Sequence, residues 1–568
     1  MRLLLCLACL GLAQADLFTA IADLQTMLGA EKNIVPVVKE YIAAEQERLD
    51  HLKKFAEEYV TRNSEAQETG PEFVTNPINA FLLIKRLTSE WRQVEDTMRN
   101  NNADRFIKNI TARREGNELS AANFDRFFAL LPLLNNLLKC AVPTVCFQVK
   151  FPGEEDLSGA AIALLRLQDV YKLETHDLAN GYIRGEKVGH RLNAHDIFEV
   201  GRAAYNAKDY YHCLMWMQEA LNRLENEHPP SIAEAEILEY LAYSLYQQGN
   251  VRRALSMTKR LFAIAPHHPR ARGNIKWYED KLDGKEKEGE LPAVVNKRVE
   301  WDGIPERDAY EALCRGEETP LTPTQIRKLY CYLKMDRPFL RLAPIKVEII
   351  RHDPLAVLFK GVIHDSEIAV IQELAKPKLK RATVQNAITG ELEHASYRIS
   401  KSAWLKEHEH EVVARVNRRI GDMTNLNQDT SEDLQIANYG LGGHYDPHYD
   451  FARKEEKNAF KSLGTGNRIA TVLFYMSQPE LGGATVFNKL GNALFPSVHD
   501  ALFWYNLKRN GDGDLRTRHA ACPVLLGVKW VSNKWIHERG QEFTRPCGLD
   551  ENVYEHFVGD LRPRHEKH

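Results

Sequence analysis

Near residue 345 the apolar period of this 568-residue chain changes, and that change excludes a single repeating architecture. Before it, apolar residues recur at helical spacing. After it come short runs of β-branched and aromatic residues, separated by Gly, Pro and Asn. The chain is also too long for one core. It reads as a multidomain α + β protein, helical in its first half and strand-rich in its second.

From Asp16 to about Leu138 the pattern is helical. Val35, Val38, Ile42, Leu49, Leu52, Ala56 and Tyr59 share the a and d positions of one heptad register, which Glu45 interrupts once. Such a stripe serves either a self-associating coiled coil or an amphipathic helix packed on its own domain, and both readings stand. From about Asp196 to Asp280 there is a weak repeat. Ile197, Val200, Gly201 and Ala220, then Leu238, Leu241, Ala242, Gly249, Ala254 and Pro266, fit the spacing of a tetratricopeptide repeat. The copies start about 41 residues apart instead of the usual 34, so a loop near His228-Pro229-Pro230 is expected. With so few copies, flanking helices must cap the unit. Tyr205, Tyr243 and Tyr246 fall on first helices, which line the concave face in this repeat class. They either stack on a peptide or pack between helices.

Met1-Arg2, the apolar run Leu3 to Leu12 and Ala13-Gln14-Ala15 read as a signal peptide, too short to span a bilayer. No later segment is both long and apolar enough for a membrane span. A net charge of -3 gives no sign of nucleic-acid or membrane binding. Of nine cysteines, Cys6 and Cys9 leave with the signal. In an oxidising lumen separation alone pairs Cys314 with Cys331 and Cys522 with Cys547. Cys140 and Cys146 could close a short loop, and Cys213 reads as a buried thiol. Asn109-Ile110-Thr111 is a glycosylation sequon. The tail His565-Glu566-Lys567-His568 is not a retention signal, so a lumenal resident needs a partner that carries one.

Leu282 to Arg298, rich in Lys, Glu and Gly, has a linker composition. The following stretch to about Ala343 reads as a disulfide-tied connector. Beyond it a helix is expected over Asp365–Ala375, with strands over Leu434–Tyr439, Ile469–Met476, Thr485–Phe487, Ala501–Tyr505, Ala520–Leu525 and Val528–Ile536. Many short strands suggest a sandwich or jelly-roll barrel. The domains expected are a signal peptide (1–15), a helical association domain (16–140), a tetratricopeptide-like unit (141–283), a linker and connector (284–344), a catalytic domain (345–548) and a tail (549–568).

The densest polar cluster is Gly442-Gly443-His444-Tyr445-Asp446-Pro447-His448-Tyr449-Asp450, with two His-x-Asp triplets. On a strand, residues two apart share a face, so His and Asp can hold one metal edge. With one more His they make the facial triad of non-haem iron(II). His519 heads a later β-type run. Lys529 lies ten positions further, between β-branched and aromatic residues. It either points outward from an edge strand or forms the cationic floor of a pocket for a dicarboxylate.

His-x-Asp, a distal His and that Lys together resemble the 2-oxoglutarate dioxygenases. The runs Tyr397-Arg398-Ile399-Ser400-Lys401-Ser402-Ala403-Trp404, Ala437-Asn438-Tyr439-Gly440, Gly482-Gly483-Ala484-Thr485-Val486-Phe487 and Trp530-Val531-Ser532-Asn533-Lys534-Trp535 are similar to the collagen prolyl 4-hydroxylase α-subunits. The likeness extends over nearly the whole mature chain. It implies a C-terminal double-stranded β-helix (jelly-roll) fold and Fe(II) held by His448, Asp450 and His519, with His444/Asp446 as the alternative pair. It implies 2-oxoglutarate and O2 as co-substrates, with Lys529 on the distal carboxylate and Tyr439 and Thr485 hydrogen-bonding to it. Tyr445 and Trp535 would line the peptide entrance, and Tyr205, Tyr243 and Tyr246 would bind proline-rich procollagen in polyproline II form. Ascorbate, protein disulfide isomerase as β-subunit and the endoplasmic-reticulum lumen complete the expectation.

Overall fold

The computed structural model describes residues 21–99, 103–108, 153–282, 291–304, 306–385, 392–393, 397–456, 459–553 and 555. The signal segment, Cys140, Cys146, Asn109 and the C-terminal tetrapeptide lie outside the described residues. Two compact units result, one within residues 1–70 and 85–154, the other within 71–84 and 155–568.

In the first unit, α1 (Ile21–Thr69) is a 49-residue helix and α2 (Trp91–Arg99) a short one. Arg48 donates to the Thr97 carbonyl at 3.2 Å, and the Tyr59 hydroxyl to the Arg86 carbonyl at 3.1 Å. The N-terminal part of the heptad stripe stays in solvent: Val35, Val38, Ile42 and Leu49 are 54, 40, 59 and 47 % exposed.

The second unit begins with helices. They are α3 (Glu154–Tyr171), α4 (Ala194–Asn206), α5 (Tyr210–Leu224), α6 (Glu234–Gln247), α7 (Val251–Ile264) and α8 (Ala271–Lys281). Asn193 and Asp196 form a capping box that starts α4, and Asp209 caps α5. Thus α4–α5 and α6–α7 are the two repeat copies. The loop between Leu224 and Glu234 takes up their extra spacing, and α3 and α8 flank them. Gly201 lets α4 approach α5 closely: a Cβ there would lie 2.9 Å from Met217 Cε, so the methionine side chain would have to shift. Cys213 is buried, as expected. The linker composition conceals an ordered segment. Residues 291–299 have no regular structure, yet the Asn250 side chain bonds both the N–H (2.7 Å) and the carbonyl (2.6 Å) of Val295.

After α9 (Arg307–Cys314) the strands begin. They are β1 (Cys331–Lys334), β2 (Ile345–His352), β3 (Leu355–Lys360), β4 (Lys380–Arg381), β5 (Arg398–Ile399), β6 (Lys401–Leu405), β7 (Leu434–Tyr439) and β8 (His444–His448). Then follow β9 (Arg468–Tyr475), β10 (Thr485–Phe487), β11 (Asn492–Leu494), β12 (Ala501–Tyr505), β13 (His519–Ala521) and β14 (Lys529–His537). A nine-stranded sheet has the order β1-β2-β3-β12-β9-β14-β7-β6-β4, and a five-stranded one the order β11-β10-β13-β8-β5. The expected strand over 520–525 is instead two pieces, His519–Ala521 and Val524–Leu526. Pro523 has no N–H to continue a ladder.

Two helices, α10 (Asp365–Ala375) and α11 (Glu411–Thr424), cover one face of the large sheet, where Ile368, Val413 and Val416 join one core with Val357, Leu434 and Val472. The opposite face packs Tyr439, Leu473 and Trp504 against Phe487 and Ala521 of the small sheet. Leu164 and Tyr171 of α3 and Tyr310 of α9 share a core with Val486 and Ala520.

The cysteines pair differently from the expectation. Cys314 is bonded to Cys522, with Cα atoms 5.5 Å apart, so neither the Cys314–Cys331 nor the Cys522–Cys547 bridge is present. Cys331 and Cys547 are exposed thiols. The cause is placement: α9 lies beside the end of β13, whereas Cys331 opens the far edge strand of the large sheet. Separation along the chain carried no information about that distance.

Candidate metal centre and co-substrate pocket

The two His-x-Asp triplets separate at one irregularity in β8. Tyr445 pairs with Ala521 and His448 with His519, so three steps on β8 match two on β13. In an unbroken strand His444, Asp446 and His448 would share a face. The bulge changes the phase, and Tyr445 and His448 both line the pocket while His444 and Asp446 do not. His444 is buried elsewhere, 3.4 Å from Asp446, with Arg166 of α3 acting on both.

One ligand atom each from His448, Asp450 and His519 lie within 4.8 Å of one another, the one such group among the described residues. His448 Nε2 is 3.5 Å from Asp450 Oδ1, and His519 Nε2 is 3.6 Å from Asp450 Oδ2. His448 Nδ1–H donates to the Asp446 carbonyl (2.7 Å) and His519 Nδ1–H to the Thr517 carbonyl (2.9 Å). A carbonyl only accepts, so both rings are set with Nε2 as the free lone pair facing the carboxylate. Burial pushes the His519 imidazolium down to about 4, against the pull of Asp450, and leaves a neutral ring. The Asp450 carboxyl is also buried, which by itself would raise it. His519, His448 and Arg468 outweigh that and hold it far below the usual range. Two imidazoles and one carboxylate, turned to one point, fit ferrous iron with coordination positions left open.

Behind this point the pocket ends at Lys529. Its Nζ is fully enclosed, donates to the Gly483 carbonyl at 2.6 Å and lies 5.0 Å from the Tyr439 ring centroid. No carboxylate pairs with it among the described residues, and burial alone lowers it to about 7. Gly482 and Gly483, with φ of +78° and +69°, form the turn that aims this carbonyl, and a Cβ on Gly482 would strike the Tyr171 hydroxyl and Pro523. Thr485 also lines the pocket and accepts from the Tyr475 hydroxyl at 3.0 Å.

Tyr445, also in the pocket lining, stacks on His448 with centroids 3.5 Å apart. Trp535 lies under the Arg468 guanidinium at 3.8 Å. Sequence reasoning missed Arg398, which lines the same pocket and bonds Gln435 at 2.9 Å. Arg398 Nε and Trp535 Nε1 are buried donors without a hydrogen-bond acceptor among the described residues. Arg398 was in a quoted motif, but nothing in its neighbours tells a pocket arginine from a surface one.

Apart from the pocket, Tyr205, Tyr243 and Tyr246 do come together, with centroids of 5.7 Å (Tyr205–Tyr243) and 6.2 Å (Tyr243–Tyr246). Tyr240 and Tyr278 extend the row at 4.8 and 5.0 Å from Tyr205 and Tyr246. These two also escaped sequence reasoning.

Three family models match the chain. "Prolyl 4-Hydroxylase alpha-subunit, N-terminal region" covers residues 20–129 and 145–185, "Prolyl 4-hydroxylase peptide-substrate-binding domain" covers 194–284, and "2OG-Fe(II) oxygenase superfamily" covers 434–537. The chain is 70 % identical over 561 residues to prolyl 4-hydroxylase subunit alpha-2 of Caenorhabditis elegans, covering 99 % of this chain and 98 % of that one. It is 54 % identical over 571 residues to the alpha-1 subunit of the same species (99 % and 96 %). To the human alpha-1 subunit it is 45 % identical over 552 residues (95 % and 97 %).

Proposed function

The chain belongs to the prolyl 4-hydroxylase α-subunit family, and from that premise we infer how its residues carry out the 4-hydroxylation of procollagen prolines. The reaction depends on Fe(II) and consumes 2-oxoglutarate and O2: one oxygen atom enters a proline of an X-Pro-Gly sequence to give 4-hydroxyproline, and the other enters 2-oxoglutarate, which leaves as succinate and carbon dioxide. The observation that carries the reading is the meeting of His448, Asp450 and His519 at one point.

His448, Asp450 and His519 hold the iron. When bound, the iron would bind and activate O2, which is chemistry that no side chain supplies. Lys529 takes the distal carboxylate of 2-oxoglutarate. The unpaired, desolvated amine is suited to this, since an arriving anion supplies the charge the pocket lacks. Tyr439 and Thr485 flank that carboxylate and fix its direction. Tyr445 and Trp535 bound the peptide entrance, and Arg398 lines the same pocket. The two facing sheets form a double-stranded β-helix (jelly-roll), whose walls exclude water from the reacting carbon.

Tyr205, Tyr243 and Tyr246 line a polyproline II docking groove, since an extended ligand loses little entropy on binding. A second site on the same chain raises substrate concentration at the pocket. The exposed stripe Val35, Val38, Ile42 and Leu49 supports self-association through the N-terminal helices as a coiled coil. Protein disulfide isomerase as β-subunit, ascorbate to restore oxidised iron, and an endoplasmic-reticulum lumenal location complete the proposal. No helix among the described residues is long and apolar enough to cross a membrane.

The test is release of succinate by the complex from a Pro-Pro-Gly peptide, with mapping of the hydroxylated atom. Succinate is expected only with iron, 2-oxoglutarate and peptide all present. Hydroxyl on lysine rather than on proline C4 would overturn the reading.

A further inference from the structure

Asp450 is held from behind as well as from the metal side. Its Oδ2 accepts from Thr471 Oγ1 at 2.8 Å. Thr471 Oγ1 accepts from Asn506 Nδ2 at 2.8 Å, and Asn506 Oδ1 accepts from Trp504 Nε1 at 2.8 Å. Thr471 and Asn506 are completely buried, and Trp504 is 2 % exposed. Thr471 on β9 and Trp504 on β12 are direct cross-strand partners. The Trp504 ring then meets His519 edge-on, with centroids 4.8 Å apart. A path of three hydrogen bonds thus starts on one member of the triad and ends against another.

Both ends of this path are chemically one-way. An ionised carboxylate only accepts, and an indole N–H only donates. Read from Trp504, Asn506 must turn its oxygen to the indole, so its amide nitrogen faces Thr471. Thr471 accepts there and keeps its one proton for Asp450. Read from Asp450, the same directions follow. Neither the amide flip nor the hydroxyl rotor has a satisfied alternative, and among these buried side chains a reversed member would leave a polar group unpaired.

The Thr471 proton occupies one carboxylate oxygen and resists rotation of the group. We propose that Thr471, Asn506 and Trp504 are a relay of positioning residues that holds Asp450 as a one-oxygen metal ligand, so that a coordination position stays open for the co-substrates. The inference rests on Asp450 being a metal ligand, as proposed above. An oxygen engaged by a fixed outer donor is the less available to the metal, and partners of this kind typically change metal affinity by roughly 10- to 100-fold.

The experiment is a Mn(II) titration, followed by electron paramagnetic resonance, of the full-length chain in complex with its isomerase subunit, without co-substrates. Thr471→Val keeps the shape and removes the donor. It is expected to weaken Mn(II) binding by roughly tenfold or more, while Thr471→Ser restores it. Trp504→Phe leaves a ring against His519 but removes the terminal donor, and is expected to fall between wild type and Thr471→Val. Wild-type affinity and an unchanged spectrum in a folded Thr471→Val protein would overturn the relay. If Thr471→Val does not fold, Asn506→Ala, which keeps the hydroxyl but frees it to turn, carries the same comparison. Mn(II) binding unaltered in Asp450→Ala would instead overturn the ligand assignment, so the two failures are distinct.

Discussion

His448 lies directly opposite His519 across the β8–β13 pair, and their ring centroids are 4.4 Å apart. Cross-strand pairing therefore delivers two imidazoles to one point, and Asp450, just past the end of β8, completes it. Lys529 lines the same pocket as this point.

The two triplets should respond differently to substitution. His519→Gln is expected to abolish stoichiometric iron binding and to lower turnover by more than the roughly 100-fold that loss of an outer partner can cost. His444→Gln should retain one iron per chain, with its effect confined to thermal stability. Iron analysis of the two purified complexes checks this, and loss of iron in His444→Gln would reverse the assignment.

Lys529 should show itself through protons. Its amine is lowered to about 7 by burial in the ligand-free chain. A dicarboxylate in contact raises it again, so 2-oxoglutarate binding above pH 7 should take up a proton, and binding well below pH 7 should not. Calorimetry in buffers of different ionisation enthalpy measures the uptake. Lys529→Met should abolish it and raise the KM for 2-oxoglutarate far more than that for peptide.

The same group sets a stability trend with a definite sign. Between about pH 7 and the ordinary lysine range the unfolded chain holds a proton that the folded chain lacks. Stability of the ligand-free protein should therefore rise with pH across that window on account of Lys529. Lys529→Met should flatten the rise in denaturant titrations at pH 7 and pH 9.

Truncating the tyrosine row should act on long substrates. Tyr243→Ala removes the ring between Tyr205 and Tyr246. Stacking of about 0.5–1.5 kcal/mol per aromatic contact implies a KM for long Pro-Pro-Gly repeats higher by roughly 2- to 10-fold. Peptides too short to reach the groove, and 2-oxoglutarate, should be unaffected.

The disulfide predicts a peptide map. Non-reducing digestion should yield Cys314 joined to Cys522. The bridge closes a loop of 208 residues, and replacing both cysteines by Ser should cost about 2–4 kcal/mol of stability. Recovery of Cys314 joined to Cys331 would contradict the structure.

Much of the scaffold was legible because local signals agreed. The helix at Asp365–Ala375 and the strands at Leu434–Tyr439, Thr485–Phe487 and Ala501–Tyr505 have the bounds their patterns predict. The repeat frame put Tyr205, Tyr243 and Tyr246 on the correct helices. What escaped were residues with no local signature. Thr471 and Asn506 are small polar residues within or beside apolar runs, and Arg398 resembles any strand arginine until a pocket forms beside it.

From the residues alone come the order of domains, the helical and extended periods, and the kinds of side chain that iron and a keto-acid require. Those depend on neighbours a few positions away, and the chain states them directly. Which His-x-Asp triplet faces the pocket was decided by a single bulge in β8, and which cysteines bond was decided by α9 lying beside β13. Both are matters of strand phase and through-space distance, which arise only when segments remote in the chain pack together.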